Sequence, residues 1–153
     1  MSDYGDYFVR YVGIIAFGII ILLLIGNAVG QPILLTYVET GSMSPTIDAG
    51  DGFIAIPEEL SGSINHGDVV IYDAEVIEGG GLTTHRIVDA NSDGYITRGD
   101  ANTFTDQSSG EPPVKGPQIV AKAFQINGQV VVIPHLGTTV EGIQSLLQAV
   151  QRT

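Results

Sequence analysis

Ser42 stands in the stretch Thr40-Gly41-Ser42-Met43-Ser44-Pro45-Thr46, and His85 in Thr84-His85-Arg86-Ile87. Asp100 lies within Arg98-Gly99-Asp100-Ala101-Asn102, and Asp106 follows six residues later around an Asn-Thr-Phe-Thr loop. A hydroxyl, an imidazole and a carboxylate are the parts of a nucleophile, a base and a base-orienting group, the set that acyl transfer requires. A serine held where a strand turns a corner presents both its oxygen and its own N–H to a bound carbonyl. Taken singly the residues say little: loop serines are mostly structural, and a histidine in an alternating strand is usually a satisfied half-buried one. The other histidines read as structural or exposed, His66 beside a Gly-Asp turn and His135 after a proline. His85 differs because Thr83 and Ile87 share its face of the strand while Thr84 and Arg86 point the other way. Either aspartate could accept the second imidazole N–H and fix the tautomer.

These residues need a scaffold to bring them together. The run 11–29 carries no charge over 19 residues, about the length that crosses a hydrocarbon core. Ala28-Val29-Gly30 offers a small-x-small site for a cleavable leader, but the flank holds Asp3 and Asp6 and lacks a positive n-region. Length therefore favours a permanent anchor. The flanking charges are too few to orient it.

Beyond Pro32 the texture becomes short β-branched runs punctuated by glycine. Strands are predicted over 33–39, 53–56, 68–72, 82–88, 95–98, 119–126 and 129–133. Asn127-Gly128 is the strongest hairpin signal, since a type I′ turn needs positive φ at both central residues. Gly79-Gly80-Gly81 and residues 107–117 read as loops. In the last segment Val140, Ile143, Leu146, Leu147 and Val150 fall at helical spacing, too short to span and suited to a short amphipathic helix. The expected organisation is a tail and anchor over 1–31, a catalytic β domain over 32–137, and an amphipathic segment over 138–153. The fold class is mainly β, two antiparallel sheets or a distorted barrel.

Composition excludes several functions. The 17 acidic residues against 6 basic ones leave no basic stripe for nucleic acid. The absence of cysteine removes disulfides, thiolate metal sites and cysteine nucleophiles together. Acidic residues spread through the chain, with only Lys115 and Lys122 as lysines, fit a protein that works in brine. Asp89-x-Asn91-x-Asp93-Gly94 with Asp100 mimics a calcium loop. Its flanks read as strands and an aspartate replaces the bidentate glutamate, so it reads as a β-turn. Arg98-Gly99-Asp100 also spells an adhesion tripeptide, a coincidence of composition.

The ordered boxes together resemble type I signal peptidases of the archaeal and endoplasmic-reticulum branch. Gly41 to Thr46 is similar to that family's Gly-Ser-Met-x-Pro-Thr box, and Gly67-Asp68-Val69-Val70 to its Gly-Asp-hydrophobic box. His85-Arg86-Ile87 resembles its His-Arg-hydrophobic box, and Arg98 to Asn102 its Lys-Gly-Asp-x-Asn box with arginine for lysine. Bacterial relatives carry a lysine base where this chain has His85, which assigns the branch. The resemblance implies Ser42 as nucleophile, His85 as general base, Asp106 as the catalytic or supporting aspartate, and Asp100 as the aspartate inside the box. It implies an oxyanion hole from the Ser42 N–H and the Thr40 hydroxyl, where the family usually has serine. It implies an extended substrate against strand edges near Tyr37, Glu39, Leu82 and Thr84, cut after a small-x-small motif. No metal or organic cofactor is implied. The implied partners are signal-peptide-bearing preproteins and the lipid bilayer, with the secretion translocase left open. The implied location is the cell membrane, single-pass, with the catalytic domain on the extracytoplasmic side. A catalytically inactive, membrane-anchored β module that binds partners is the alternative from another class. A self-cleaving Ser/Lys protease of the repressor type is weakened by His85 and by the anchor.

The charge balance yields a prediction. Salt shortens the screening length from roughly 10 Å at 0.1 M to roughly 3 Å at 1 M, which relieves self-repulsion among carboxylates. Activity and Tm should both rise from dilute buffer toward molar potassium or sodium chloride. A thermal scan across that series checks it, and a steady decline would contradict the halophilic reading.

Overall fold

A computed structural model describes residues 7, 10–14, 17 and 34–139. The chain divides into two compact units, Met1–Ile33 and Leu34–Thr153. In the first, residues 7, 10–14 and 17 are helical. Tyr11, Val12, Ile14 and Phe17 are exposed there. Most of the expected anchor lies outside the described residues, among which no helix is long and apolar enough to cross a membrane.

The second unit is mainly β. Its strands are β1 (Leu34–Tyr37), β2 (Gly52–Pro57), β3 (Val69–Ala74), β4 (Gly81–Asn91), β5 (Gly94–Arg98), β6 (Ile119–Ala123), β7 (Gln125–Ile126), β8 (Gln129–Val130) and β9 (Val132–Ile133). The large sheet runs β1-β2-β6-β3-β4-β5, with β9 also on β2, and β7 and β8 form a separate hairpin. Every pairing is antiparallel.

β3 shows why this sheet holds a core on both faces. Its residues Val69 and Ile71 pack with Phe53, Met43, Ile47 and Ala121, while Val70, Tyr72 and Ala74 pack with Ile87, Val114 and Ile119. A strand buried on both faces reads as a continuous apolar run, as Val-Val-Ile-Tyr does. β4 instead alternates, with Thr83, His85 and Ile87 buried between more exposed neighbours.

Two departures from the expected strands have local causes. The run 119–126 divides at Phe124, whose N–H bonds Ile54 O while its carbonyl accepts from Val131. The chain there leaves the large sheet and enters the Asn127-Gly128 hairpin, where both residues take positive φ (53° and 78°) as a type I′ turn needs. The strand expected over 129–133 breaks at the same crossing, because β8 pairs β7 and β9 pairs β2. The helical turn Glu58–Ser61 was not foreseen. The calcium-like segment 89–94 is the end of β4 and its tight turn into β5, with Asn91 Oδ1 accepting the N–H groups of Asp93 (2.8 Å) and Gly94 (3.1 Å). Residues 136–139 are helical, and the rest of the expected C-terminal amphipathic helix lies outside the described residues.

Candidate active site

The turn carrying Ser42 follows β1 directly and is pinned from below. Met43 and Ile47 are fully buried in the core, so the residues between them have little freedom. The N–H groups of Thr46 and Ile47 both bond Met43 O, and the Ser44 hydroxyl donates to Asp48 Oδ1 at 2.6 Å. Ser42 is left at the surface of this knot, its Oγ 3.1 Å from Thr40 Oγ1. Its carbonyl accepts the Ala101 N–H at 2.9 Å, which ties the serine turn to the turn after β5.

His85 projects from the middle of β4 and is only 2% exposed. Its Nδ1 lies 2.7 Å from Asp106 Oδ2, and Asp106 is itself 3% exposed. The Tyr72 hydroxyl from β3 donates to the same oxygen at 2.9 Å, and the Thr97 hydroxyl from β5 donates to Tyr72 Oη at 3.2 Å. Burial alone would raise the Asp106 pKa, but His85, Thr97 and Tyr72 more than offset it and hold the carboxyl below its ordinary range. Burial above all, then the nearby negative charges of Asp106 and Glu111, push the Tyr72 phenol far up, against the opposing effect of Thr97. Tyr72 therefore keeps its proton and donates it. An ionised Asp106 is an acceptor, so it selects the His85 tautomer with the proton on Nδ1 and a lone pair on Nε2.

That Nε2 is buried and has no hydrogen-bond partner among the described residues. An unsatisfied buried nitrogen costs roughly 1–3 kcal/mol, so its lack of a partner calls for a physical reason. Gly99 indicates what lies beside it. A Cβ at Gly99 would sit 2.6 Å from Ser42 O, 2.8 Å from Asn102 Nδ2 and 2.9 Å from His85 Nε2. The free imidazole nitrogen and the serine turn thus converge on the backbone of Gly99, which only glycine allows. The Ser42–His85 hydrogen bond itself is not formed, the Ser42 hydroxyl being within reach of Thr40 instead. Such bonds often tighten only when substrate is bound.

Asp100 is placed elsewhere. Arg86 grips it with Nε at 2.8 Å from Oδ1 and Nη2 at 2.5 Å from Oδ2, and Arg86 Nη1 also donates to Gly67 O at 2.8 Å. Burial would raise the Asp100 pKa, but Arg86 and the Thr46 hydroxyl overcome it, and the carboxyl sits below its usual value. The bidentate pair straps the turn after β5 to β4 and to the serine turn, with Asp100 outside hydrogen-bond reach of the imidazole.

Tyr37, Glu39, Leu82 and Thr84 all line one cleft of about 440 Å³ that also contains Thr40 and Ser42. Ile71, Val120 and Ala121 are among its other walls. Both flanking strands offer it open edges. Val38 bonds Gly50 and Asp51, so by alternation Tyr37 and Glu39 turn their backbone groups away from β2. Ile87 bonds Gly67 and Asp68, so Leu82 and Thr84 turn theirs away from β3, and β5 pairs only from Arg86 onward. A second cleft of about 520 Å³ lies apart, lined by His66, Asp68, Arg86 and Lys122 among others. Its cations are engaged: Lys122 lies 3.1 Å from Asp68, and Arg86 is spent on Asp100. Among the described residues no group of three or more histidines and carboxylates could hold a metal ion.

Sequence reasoning missed three residues that matter here. Tyr72 and Thr97 fell only within the strands predicted over 68–72 and 95–98, and Glu111 within the loop predicted over 107–117. The chain matches no protein-family model, and no curated protein matches it.

Two predictions follow from this geometry. Asp106→Asn should lower turnover steeply, by about 10³-fold or more, because an amide can present its N–H and stabilise the wrong tautomer. Asp100→Asn should act on Tm more than on turnover, since it weakens the strap to Arg86. The depressed Asp106 pKa contributes stability in full above about pH 4, lost as pH falls through the lower folded value. Asp106→Asn should therefore flatten the acid limb of a Tm–pH profile. Equal turnover losses in the two variants would contradict the assignment. Separately, Gly99→Ala should depress turnover at least about tenfold while the protein still folds, because its methyl must displace the serine turn or the imidazole. Near wild-type cleavage by a folded Gly99→Ala protein would show that the convergence is incidental.

Proposed function

We propose that this chain is a membrane-anchored serine endopeptidase of the signal-peptidase kind. The observation that carries the reading is the buried His85–Asp106 pair, whose unpartnered Nε2 meets the Ser42 turn at the backbone of Gly99, while Ser42 itself lines an open-edged cleft. The four sequence boxes supply the resemblance to the archaeal and endoplasmic-reticulum branch of type I signal peptidases. The signal-peptidase form of the sheet, the anchor, the extracytoplasmic location and the halophilic archaeal setting belong to the same proposal. Exposed apolar side chains spread around the helix at Tyr11, Val12, Ile14 and Phe17 support the anchor.

In this mechanism an extended preprotein segment lies in the cleft and extends the open edges of β1 and β4 through backbone hydrogen bonds. Ser42 Oγ leaves Thr40, gives its proton to His85 Nε2 and attacks the scissile carbonyl. Asp106 stabilises the imidazolium that results, and Tyr72 and Thr97 keep that carboxylate ionised. The Ser42 N–H and the Thr40 hydroxyl, now free of Ser42 Oγ, donate to the developing oxyanion. The imidazolium then protonates the leaving amine. Water, deprotonated by His85, cleaves the acyl-enzyme and releases the peptide acid and Ser42. Apolar side chains from Ile71, Val120 and Ala121 leave shallow relief, which fits small side chains before the cut.

Ser42→Ala should reduce cleavage of a preprotein in detergent by at least about 10³-fold while the protein remains folded. Wild-type protein should also be labelled at Ser42 by a serine-acylating probe. Unlabelled Ser42, with preprotein bound but uncut, would favour the catalytically inactive binding module. Near wild-type cleavage by the alanine variant would refute the mechanism.

A further inference from the structure

Glu111 is 2% exposed and carries a carboxylate that the mechanism above does not use. It receives three backbone donors from one distant turn: Glu75 N–H at 2.7 Å on Oε1, and Val76 N–H at 2.7 Å with Ile77 N–H at 3.0 Å on Oε2. No cation pairs with it among the described residues. A buried carboxylate without a cation is tolerated when several N–H dipoles converge on it, and their loss would strand both the charge and the amides.

The turn so held connects β3 to β4. It carries Glu78, forced to a left-handed φ of 55°, and runs through three glycines into Leu82, Thr83 and Thr84. Glu78, Leu82, Thr83 and Thr84 form one wall of the cleft. Glu78, Gly79, Gly80 and Gly81 are all exposed, and the Gly79 and Gly80 N–H groups bond back to Val76 O and Ile77 O, so the segment takes its position from residues 75–77. Those residues are fixed by the amide clamp and by the packing of Ile77 against the cluster around Ile87, and the start of β4 holds the other end. Glu111 in turn is fixed by its neighbours: its N–H bonds Asp106 O at 3.1 Å, and Asp106 is the partner of His85.

We infer that Glu111 is a positioning residue that holds the β4 edge of the cleft in register with the Ser42–His85–Asp106 site, so that bound substrate reaches the serine. The inference rests on the endopeptidase reading and deepens it: one short loop, Asp106 to Glu111, orients the base with one carboxylate and sets the substrate wall with the other. Loss of the clamp frees the rim but leaves the imidazole pair untouched, so binding suffers and chemistry does not.

The full-length protein in detergent provides the test, with Glu111→Gln as the main variant and Glu111→Asp as a second that keeps the charge but shortens the reach. Three readouts are compared with wild type: KM and kcat on a preprotein, the rate of Ser42 labelling by a small acylating probe, and hydrogen exchange at residues 75–77. The expected result is KM raised about tenfold, kcat and labelling within twofold, and faster exchange at those amides in both variants. Faster exchange with an unchanged KM would overturn the inference, as would unchanged exchange, or kcat and labelling falling in parallel with KM. A wild-type protein that neither cleaves the preprotein nor labels at Ser42 would overturn the endopeptidase reading itself, and this inference with it. That outcome is distinguishable because it precedes any effect of Glu111.

Discussion

A carboxylate buried behind an imidazole is the constraint that organises this domain. Removing Asp106 from water is expensive, and the cost is tolerable only where donors already stand in place. Those donors are Tyr72 from β3 and His85 from β4, and Thr97 from the neighbouring β5 donates in turn to Tyr72 Oη. The order β3-β4-β5 is thus more than a packing solution, because only strands adjacent in that order deliver the three side chains to one point. The loop after β5 must then return over its own sheet to insert Asp106. Its route is fixed by the Arg86–Asp100 strap and by Gln107, whose Oε1 accepts the Thr97 N–H at 3.0 Å.

The serine is governed by a different economy. Its turn lies over the opposite core from the aspartate's, with Met43 and Ile47 in the cluster around Phe53 while Tyr72 belongs to the cluster around Ile87. β3 divides the two, presenting Val69 and Ile71 to one and Val70 and Tyr72 to the other. The Ser42 turn and the Tyr72–Asp106–His85 group are therefore supported by separate hydrophobic clusters and meet only at the rim. The bond between Ala101 N–H and Ser42 O is one of the few direct ties across that junction, and Gly99 sits at its centre without a side chain.

Much of this was legible in the sequence, and the rest was not for definite reasons. β-branched runs announced the strands, and Asn127-Gly128 announced its hairpin, because both signals are local. The alternation around His85 and the gathering of Tyr37, Glu39, Leu82 and Thr84 along one cleft were also foreseeable from spacing and resemblance. Tyr72 and Glu111 were not. Nothing in Val-Val-Ile-Tyr tells that the hydroxyl meets a carboxylate 34 positions later, and nothing in Ser-Gly-Glu-Pro-Pro tells that the glutamate caps a turn 34 to 36 positions earlier. Such contacts depend on which strands become neighbours, a property of the whole sheet. The split at Phe124 belongs to the same class, since a continuous β-forming run changes partner only when two sheets compete for it. Choosing between Asp100 and Asp106 needed Arg86, whose grip on Asp100 removes that carboxylate from contention.

The partner exchange along β4 is where scaffold and chemistry become one feature. This strand pairs with β3 over Gly81–Arg86 and with β5 over Arg86–Asn91, so Arg86 alone is paired on both sides. His85 sits at that change. Had β5 continued alongside, the edge at Leu82 and Thr84 would be covered and no peptide could pair with it. The departure of β5 at Arg98 also releases the chain into the Gly99–Asn102 turn, the only route by which Asp106 returns to the imidazole. One strand ending early therefore opens the cleft, frees the turn that approaches Ser42, and supplies the carboxylate.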